Sequence, residues 1–274
     1  QLDGALADLL ALVHTHGEVN QNIVNRVTVS PAAALPDHSA TWPYDLASLV
    51  NPRDASVLLL FGSMDDRPAT FDRTIVPKEL DVLLTQRSMV LRNHPGQVSF
   101  PGGGLELNDV DATACAIRET QEETGVDPKG IIPIGTLPVL PLPVTNFQVT
   151  PVLGWWQHPD DNEMITTEEA TRVFRVPVGD LVNPKLRVTA VASDRSSKHR
   201  YGTPAFTVGG TLVWGFTAMI LDRVLELLGW AEPWDPRYVI DISNWDATKP
   251  VPTAFYDPDH PGIDLHGVNR TGQR

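Results

Sequence analysis

The sequence predicts an α/β fold in which a mixed sheet lies between helices. Short runs rich in Val, Leu, Ile and Phe recur through the middle of the chain and read as buried strands. Two stretches, Ala112 to Thr124 and Gly215 to Leu228, interrupt those runs with helical character. Alternation of the two kinds of element, with strands expected in both directions, is the pattern of a layered α/β domain.

Taken in order, Leu6, Leu9, Leu10 and Val13 recur at helical spacing within Asp3 to His16, and Gly17 can end that helix. Glu18 to Arg53 is proline-containing and weakly periodic, which predicts a long wrap or partly ordered segment. Ser56 to Phe61, Asp81 to Thr85 and Gln97 to Phe100 are predicted strands, with a loop over Met64 to Thr70. Ile131 to Leu140 and Phe147 to Trp156 predict two more, separated by the proline-rich loop Pro138 to Val144. Val173 to Val176 reads as a strand before Pro177, and Asp180 to Asn183 as a short helical turn. Arg187 to Val191 and Ala205 to Val208 are expected to pair around the charged hairpin Asp194 to Tyr201.

After Trp230 the composition shifts to frequent Pro and Asp with weak periodicity. Trp234, Tyr238, Trp245 and Phe255 predict that this tail docks through anchored points on the body or on a second copy, with a looser end beyond Pro261. The expected organisation is an N-terminal helix and extension over 1–54, a central domain over 55–230 and a tail over 231–274. No internal repeat is visible.

Composition sets further bounds. The formal net charge is −13, which disfavours nucleic acid as the main ligand. A negative protein acting on a polyanion must compensate locally with metal ions or placed basic groups, and Arg87 and Arg92 are candidates. No long apolar run predicts a membrane span, and no basic-then-apolar leader is visible. Cys115 is the only cysteine, so an intramolecular disulfide is impossible and a reducing cytoplasm is the default expectation. The histidines form no metal-ligand spacing, and His94 reads as solvent-exposed.

The chemistry concentrates in Phe100-Pro-Gly-Gly-Gly, a short acidic run, and Arg118-Glu-Thr-Gln-Glu-Glu-Thr-Gly-Val126. Ala112 to Thr124 contains no Pro or Gly, and Gly125 sits where a helix C-terminal glycine belongs. With about 100° per residue, Glu119, Glu122 and Glu123 share one face, while Ala114 and Ile117 point the other way. Three adjacent carboxylates repel unless a cation sits among them, and hard divalent ions prefer oxygen ligands. A solvated helix face is the plain alternative for the glutamates, and an ion pair with Glu122 the plain alternative for Arg118. Asp109 or Asn108 could cap the helix, with capping or bracing favoured over metal ligation for Asp109. Cys115 reads as a small buried residue, not a nucleophile.

This stretch resembles the signature of the Nudix hydrolases, G-x5-E-x7-R-E-U-x-E-E-x-G-U with U apolar. Arg118, Glu119, Glu122, Glu123, Gly125 and Val126 fall in place, whereas Thr120 stands at a usually apolar position. Counting from Gly104 puts Val110 where the first Glu belongs, and counting from Gly103 puts Asp109 there, with one extra residue before Arg118. That departure, and the upstream run Leu83-Leu-Thr-Gln-Arg-Ser88, Arg92, Gly96 and Phe100-Pro-Gly-Gly103, is similar to the coenzyme A diphosphatase branch. A short echo lies at Val213 to Ala218.

The resemblance implies an α/β/α sandwich and a Mg²⁺- or Mn²⁺-dependent diphosphatase. It implies metal ligation by Glu119, Glu122, Glu123 and the Gly103 carbonyl, and an orienting role for Arg118. It also implies substrate contacts at Arg87, Arg92, Gly102 and Gly103, with Glu123 or Glu169 as proton acceptor. The implied reaction is hydrolysis of coenzyme A or its thioesters to 4′-phosphopantetheine, or its acyl form, and adenosine 3′,5′-bisphosphate. ADP-ribose, NADH or a nucleoside triphosphate is the alternative substrate. A non-catalytic nucleotide-binding module is the alternative class, and loss of a metal carboxylate would mark it; all three are present.

Overall fold

The computed structural model describes residues 2–20, 49–64, 67–88, 96–159, 170–193 and 200–260. Its helices are α1 (Leu2–His16), α2 (Ala112–Thr124), α3 (Val178–Leu181) and α4 (Gly215–Leu227). The strands are β1 (Glu18–Val19), β2 (Arg53–Gly62), β3 (Asp81–Arg87), β4 (Val98–Ser99), β5 (Gly102–Gly104), β6 (Ile131–Thr136) and β7 (Leu140–Leu142). They continue with β8 (Phe147–Trp156), β9 (Ala170–Pro177), β10 (Arg187–Ser193), β11 (Arg200–Val208), β12 (Thr211–Val213), β13 (Tyr238–Asp241) and β14 (Phe255–Tyr256).

The strands form two sheets where the sequence suggested one. The larger runs β1-β6-β8-β2-β3-β4, with β5 on β2, β7 on β8 and β9 on β3. It is mixed: β2 runs parallel to β8 from Arg53↔Phe147 to Phe61↔Trp155, and the other pairs are antiparallel. The smaller sheet runs β12-β11-β10-β13-β14.

β2 shows why the fold is layered. Successive side chains on a strand face opposite ways. Leu59 and Phe61 enter one core with Leu9, Leu12 and Val13 of α1 and Leu221, Val224 and Leu225 of α4. Leu58 and Leu60 enter the other with Ala116 of α2, Val126 and Trp156. A strand buried on both faces reads as a continuous apolar run, as Val57 to Phe61 does. The fold is the expected Nudix-type sandwich, with α2 on one side of the sheet and α1 and α4 on the other.

α1 and the segment that follows α4 join this body. Trp230 is fully buried, and its indole N–H donates to Asp8 of α1 at 3.0 Å. Arg73 pairs with Glu232. The tail docks by a strand that its weak periodicity did not predict: β13 lies parallel to β10, Thr189↔Val239 to Val191↔Asp241. Val239 and Ile240 are buried there, and Trp245 packs on the cluster of Val188, Ala190, Ala205, Leu212 and Ile240. Tyr238 and Phe255 do not act as anchors. Tyr238 stands at the exposed start of β13, edge-on to Tyr256 at 5.4 Å, and both Tyr238 and Phe255 are about half exposed.

Other boundaries moved slightly. The predicted strand Ile131 to Leu140 is two, β6 and β7, separated at Leu137 to Val139, where Pro138 has no N–H to give to a ladder. The helical turn starts at Val178, directly after Pro177. β10 and β11 pair as expected, Val188↔Ala205 among them. Most of the extension over 18–53, most of the 194–201 hairpin and the tail end beyond residue 260 lie outside the described residues.

Leu9 is wholly buried at the centre of α1. Leu9→Ala is expected to destabilise the protein by about 2–5 kcal/mol, the usual cost of a core cavity. Urea unfolding of the full chain measures this, and a loss under about 1 kcal/mol would show that α1 does not belong to the main core.

Candidate active site

The site is built where β5 meets α2. β5 pairs antiparallel with β2, Ala55↔Gly104, Ser56↔Gly103 and Val57↔Gly102. A side chain cannot be accommodated at Gly102 or Gly103 of this strand. A Cβ at Gly102 would lie 2.3 Å from the Ser56 carbonyl oxygen, and one at Gly103 would lie 2.4 Å from Glu119 Cδ. The glycines therefore let a helix carboxylate reach the strand backbone.

α2 begins and ends by recognisable signals. Asp111 is the N-cap, accepting from the Ala114 amide at 2.8 Å. Neither Asp109 nor Asn108 caps it. The residue immediately before Ala112 was the one to choose, since a cap directly precedes the first helical residue. Gly125 closes the helix at φ 76°, donating its N–H to the Gln121 carbonyl. Thr120, at the usually apolar position, is wholly buried and satisfies its hydroxyl by donating to the Ala116 carbonyl at 2.7 Å.

Arg118 organises the acidic groups. Its Nε and Nη2 donate to the two oxygens of Asp109 at 3.0 and 2.8 Å, a two-pronged pair. Nη1 donates to Glu119 at 3.0 Å and to Glu122 at 3.2 Å, and Nη2 reaches the Gly104 carbonyl at 3.2 Å. Asp109 also accepts the Glu106 amide at 2.8 Å. The Arg118 bonds are the main cause that holds the Asp109 carboxyl at about 2, well below its ordinary value. Burial pushes the Glu119 carboxyl up, against the pull of Arg118. Glu123 is buried and accepts the Gly102 amide at 3.1 Å. The Cys115 thiol lies wholly buried, 3.6 and 3.5 Å from the Gly103 and Gly104 carbonyls. Desolvation raises its pKa, which opposes nucleophilic use.

Glu119, Glu122, Glu123, Arg118, Gly102 and Gly103 are thus gathered at one junction. Arg87 ends β3 beside a register shift, its amide bonded to the Gln97 carbonyl at 3.0 Å. Arg92 and Glu169 lie outside the described residues. Among the described residues no three His, Cys, Asp or Glu side chains converge as a ready-made metal cage. Glu119 and Glu122 turn to Arg118, and Glu123 turns to Gly102. The donor set nevertheless fits a hard divalent ion. It consists of carboxylates on one helix face beside a glycine backbone, and the missing Gly103 Cβ leaves the space that the Glu119 carboxylate fills. The Asp109–Arg118 fork was not assigned from sequence, because a separation of nine positions gives no local periodicity to flag it.

The mixed sheet, the glycine strand and the carboxylate-bearing helix define an α/β scaffold with an acidic centre. The chain belongs to the Nudix hydrolase family and is an enzyme of its diphosphatase class. The family profile described as NUDIX domain matches residues 69–194. A Klebsiella pneumoniae protein described as Uncharacterized Nudix hydrolase NudL is 36% identical over 148 residues, covering 54% of this chain and 75% of that protein. Nudix hydrolase 3 of Caenorhabditis elegans is 31% identical over 160 residues, covering 54% of this chain and 66% of that protein. Among solved structures, the NUDIX domain of Shewanella oneidensis NrtR complexed with ADP ribose aligns with a TM-score of 0.36 at 21% identity, over 50% of this chain and 80% of that one. Among the described residues no helix is long and apolar enough to cross a membrane.

Asp109 gives this site a measurable signature. Because its folded pKa is depressed, the stability it adds is complete above the ordinary 3.8 and is lost as pH falls through about 2. Carboxyl-carbon NMR should place the Asp109 midpoint near 2 in the wild type and closer to 3.8 in Arg118→Ala. An unchanged midpoint in the variant would remove Arg118 as the cause.

Proposed function

We propose that this enzyme hydrolyses the diphosphate bond of coenzyme A or its thioesters. The products are 4′-phosphopantetheine, or its acyl form, and adenosine 3′,5′-bisphosphate. The observation that carries the reading is the meeting of two sequence patterns at one junction. The described residues of the run from Leu83 through Gly103 lie in β3, β4 and the glycine strand, and the Arg118 to Gly125 run carries the acidic face against that strand.

Glu119, Glu122, Glu123 and the Gly103 carbonyl would hold Mg²⁺ or Mn²⁺. The bound ion would neutralise developing charge on the diphosphate and lower the pKa of water. Arg118 positions Glu119 and Glu122 by its Nη1 bonds, a duty that fixes ligand orientation. Arg87 and Arg92 would grip the anionic parts of the substrate. Water adds to one phosphorus, the bridging P–O bond breaks, and the proton released from water passes to Glu123 or Glu169. No covalent enzyme intermediate forms.

The deciding experiment incubates the full chain with coenzyme A, acetyl coenzyme A, ADP-ribose, NADH and nucleoside triphosphates, with Mg²⁺ or Mn²⁺, and identifies products by mass. Coenzyme A and its thioester should be cut fastest. Glu122→Gln and Glu123→Gln should lose at least about 100-fold in kcat while staying folded by circular dichroism, as loss of a charge-stabilising group does. Faster cleavage of ADP-ribose or NADH would move the assignment to that substrate. Full activity in excess chelator would end the metal role.

The two arginines are tested separately on the best substrate. Arg87→Ala and Arg92→Ala should raise KM more than they lower kcat, because an anchoring contact is present in ground and transition states alike. Wild-type KM in both variants would show that neither side chain grips substrate.

A further inference from the structure

A cavity of about 920 Å³ opens between the turn before β10 and the first part of the tail. None of its lining residues belongs to the carboxylate site. We propose that this cavity is a second ligand site for a small planar anion, a ring carrying a phosphate or carboxylate and about the size of a mononucleotide.

Size, charge and shape agree on that class. The volume lies within the range of about 300–1,000 Å³ usual for small-molecule pockets. The whole chain carries 34 acidic against 21 basic side chains. The cavity reverses that balance, with Lys185, Arg187 and Arg237 against Asp235 alone. Trp234 and Tyr238 add flat apolar surface to the wall, as a ring would need. The wall is held in place: Thr189 donates to the Pro236 carbonyl at 2.7 Å, and Arg237 uses Nε and Nη2 on Asp235 at 2.9 and 2.7 Å. Arg237 Nη1 is left over for an acceptor.

Arg187 points to a ligand more directly. Its side chain is 1% exposed. The guanidinium lies between the Phe206 ring at 4.4 Å and the Trp234 ring at 4.7 Å, with one nitrogen on Asp222. Its Nε and Nη1 have no hydrogen-bond partner among the described residues. Buried N–H donors are seldom left without acceptors. The cavity borders this side chain at Trp234, and an anion seated beside that ring brings the oxygens these donors lack.

The test titrates AMP into the full chain by calorimetry in excess chelator, with adenosine and inorganic phosphate as separate arms. AMP should bind saturably, more tightly than either part alone. Lys185→Glu and Arg237→Glu, both at exposed positions, should each weaken AMP by about tenfold or more, the usual worth of a charged contact. Diphosphate hydrolysis with metal restored should stay unchanged in both. Glu122→Gln should leave AMP affinity unaltered. Three results overturn the proposal: no saturation by millimolar AMP; affinity insensitive to both charge reversals; or affinity lost in Glu122→Gln, which would place AMP in the carboxylate site. Phosphate binding as tightly as AMP would overturn the planar part and leave an anion hole.

Discussion

One arginine sets the electrostatics of the acidic centre. Arg118 meets Asp109, Glu119 and Glu122 from a single guanidinium, with Glu106 a further 3.9 Å away. The pairs are unequal. The Glu122 carboxylate is 58% exposed, so solvent screens its contact to the few tenths of a kcal/mol usual for an i,i+4 pair, about 0.3–0.5. The Asp109 side chain is 5% exposed and takes both prongs of the fork. Arg118 is therefore anchored by Asp109, and from that fixed position it reaches the glutamates. The loop between the glycine strand and α2 is tied down by the same contact, since Asp109 also accepts the Glu106 amide.

Much of this was legible in the sequence, for reasons that differ by element. The bounds of α2 were legible because Gly125 marks a left-handed end and no Pro or Gly interrupts the helix. β2 and β8 were legible as apolar runs because both are buried on two faces. The shared face of Glu119, Glu122 and Glu123 followed from helical spacing alone. The Asp109–Arg118 fork did not, because it closes a loop whose path depends on where β5 docks. The second sheet did not either. β13 is four residues long among prolines and aspartates, and it exists as a strand because β10 offers it a parallel edge. A segment stabilised by a partner some fifty residues distant carries little local signature.

The aromatics of the tail illustrate the same limit. Their number correctly announced docking, since ordering a chain costs about 1–2 kcal/mol per residue and must be offset by burial. Which residues do the burying was set by their position along the strand, whose middle is covered on both faces and whose start is not. Val239 and Ile240 go inside and Tyr238 stays out. Trp234 is used differently again, as one of two rings covering the Arg187 guanidinium. Hydrophobic size alone did not distinguish these roles, because burial depends on which stretch of the tail pairs with β10, and that pairing begins at Val239.

The acidic centre also depends on small residues that carry no charge. Glu119 can lie against Gly103 only if α2 approaches β5 closely, and each side of that contact is stripped of bulk. On the strand stand Gly102, Gly103 and Gly104; on the helix Cys115 and Ala116 are wholly buried. Ala116 packs with Leu58, Leu60 and Trp156 beneath the sheet's surface, so a larger side chain there would lift the helix and its carboxylates together. Close packing transmits such shifts instead of absorbing them. The glycine run and the small helix residues are thus one constraint seen from two sides: they fix how near the carboxylates come to the strand backbone. Arg118 then fixes how Glu119 and Glu122 are oriented once they are there.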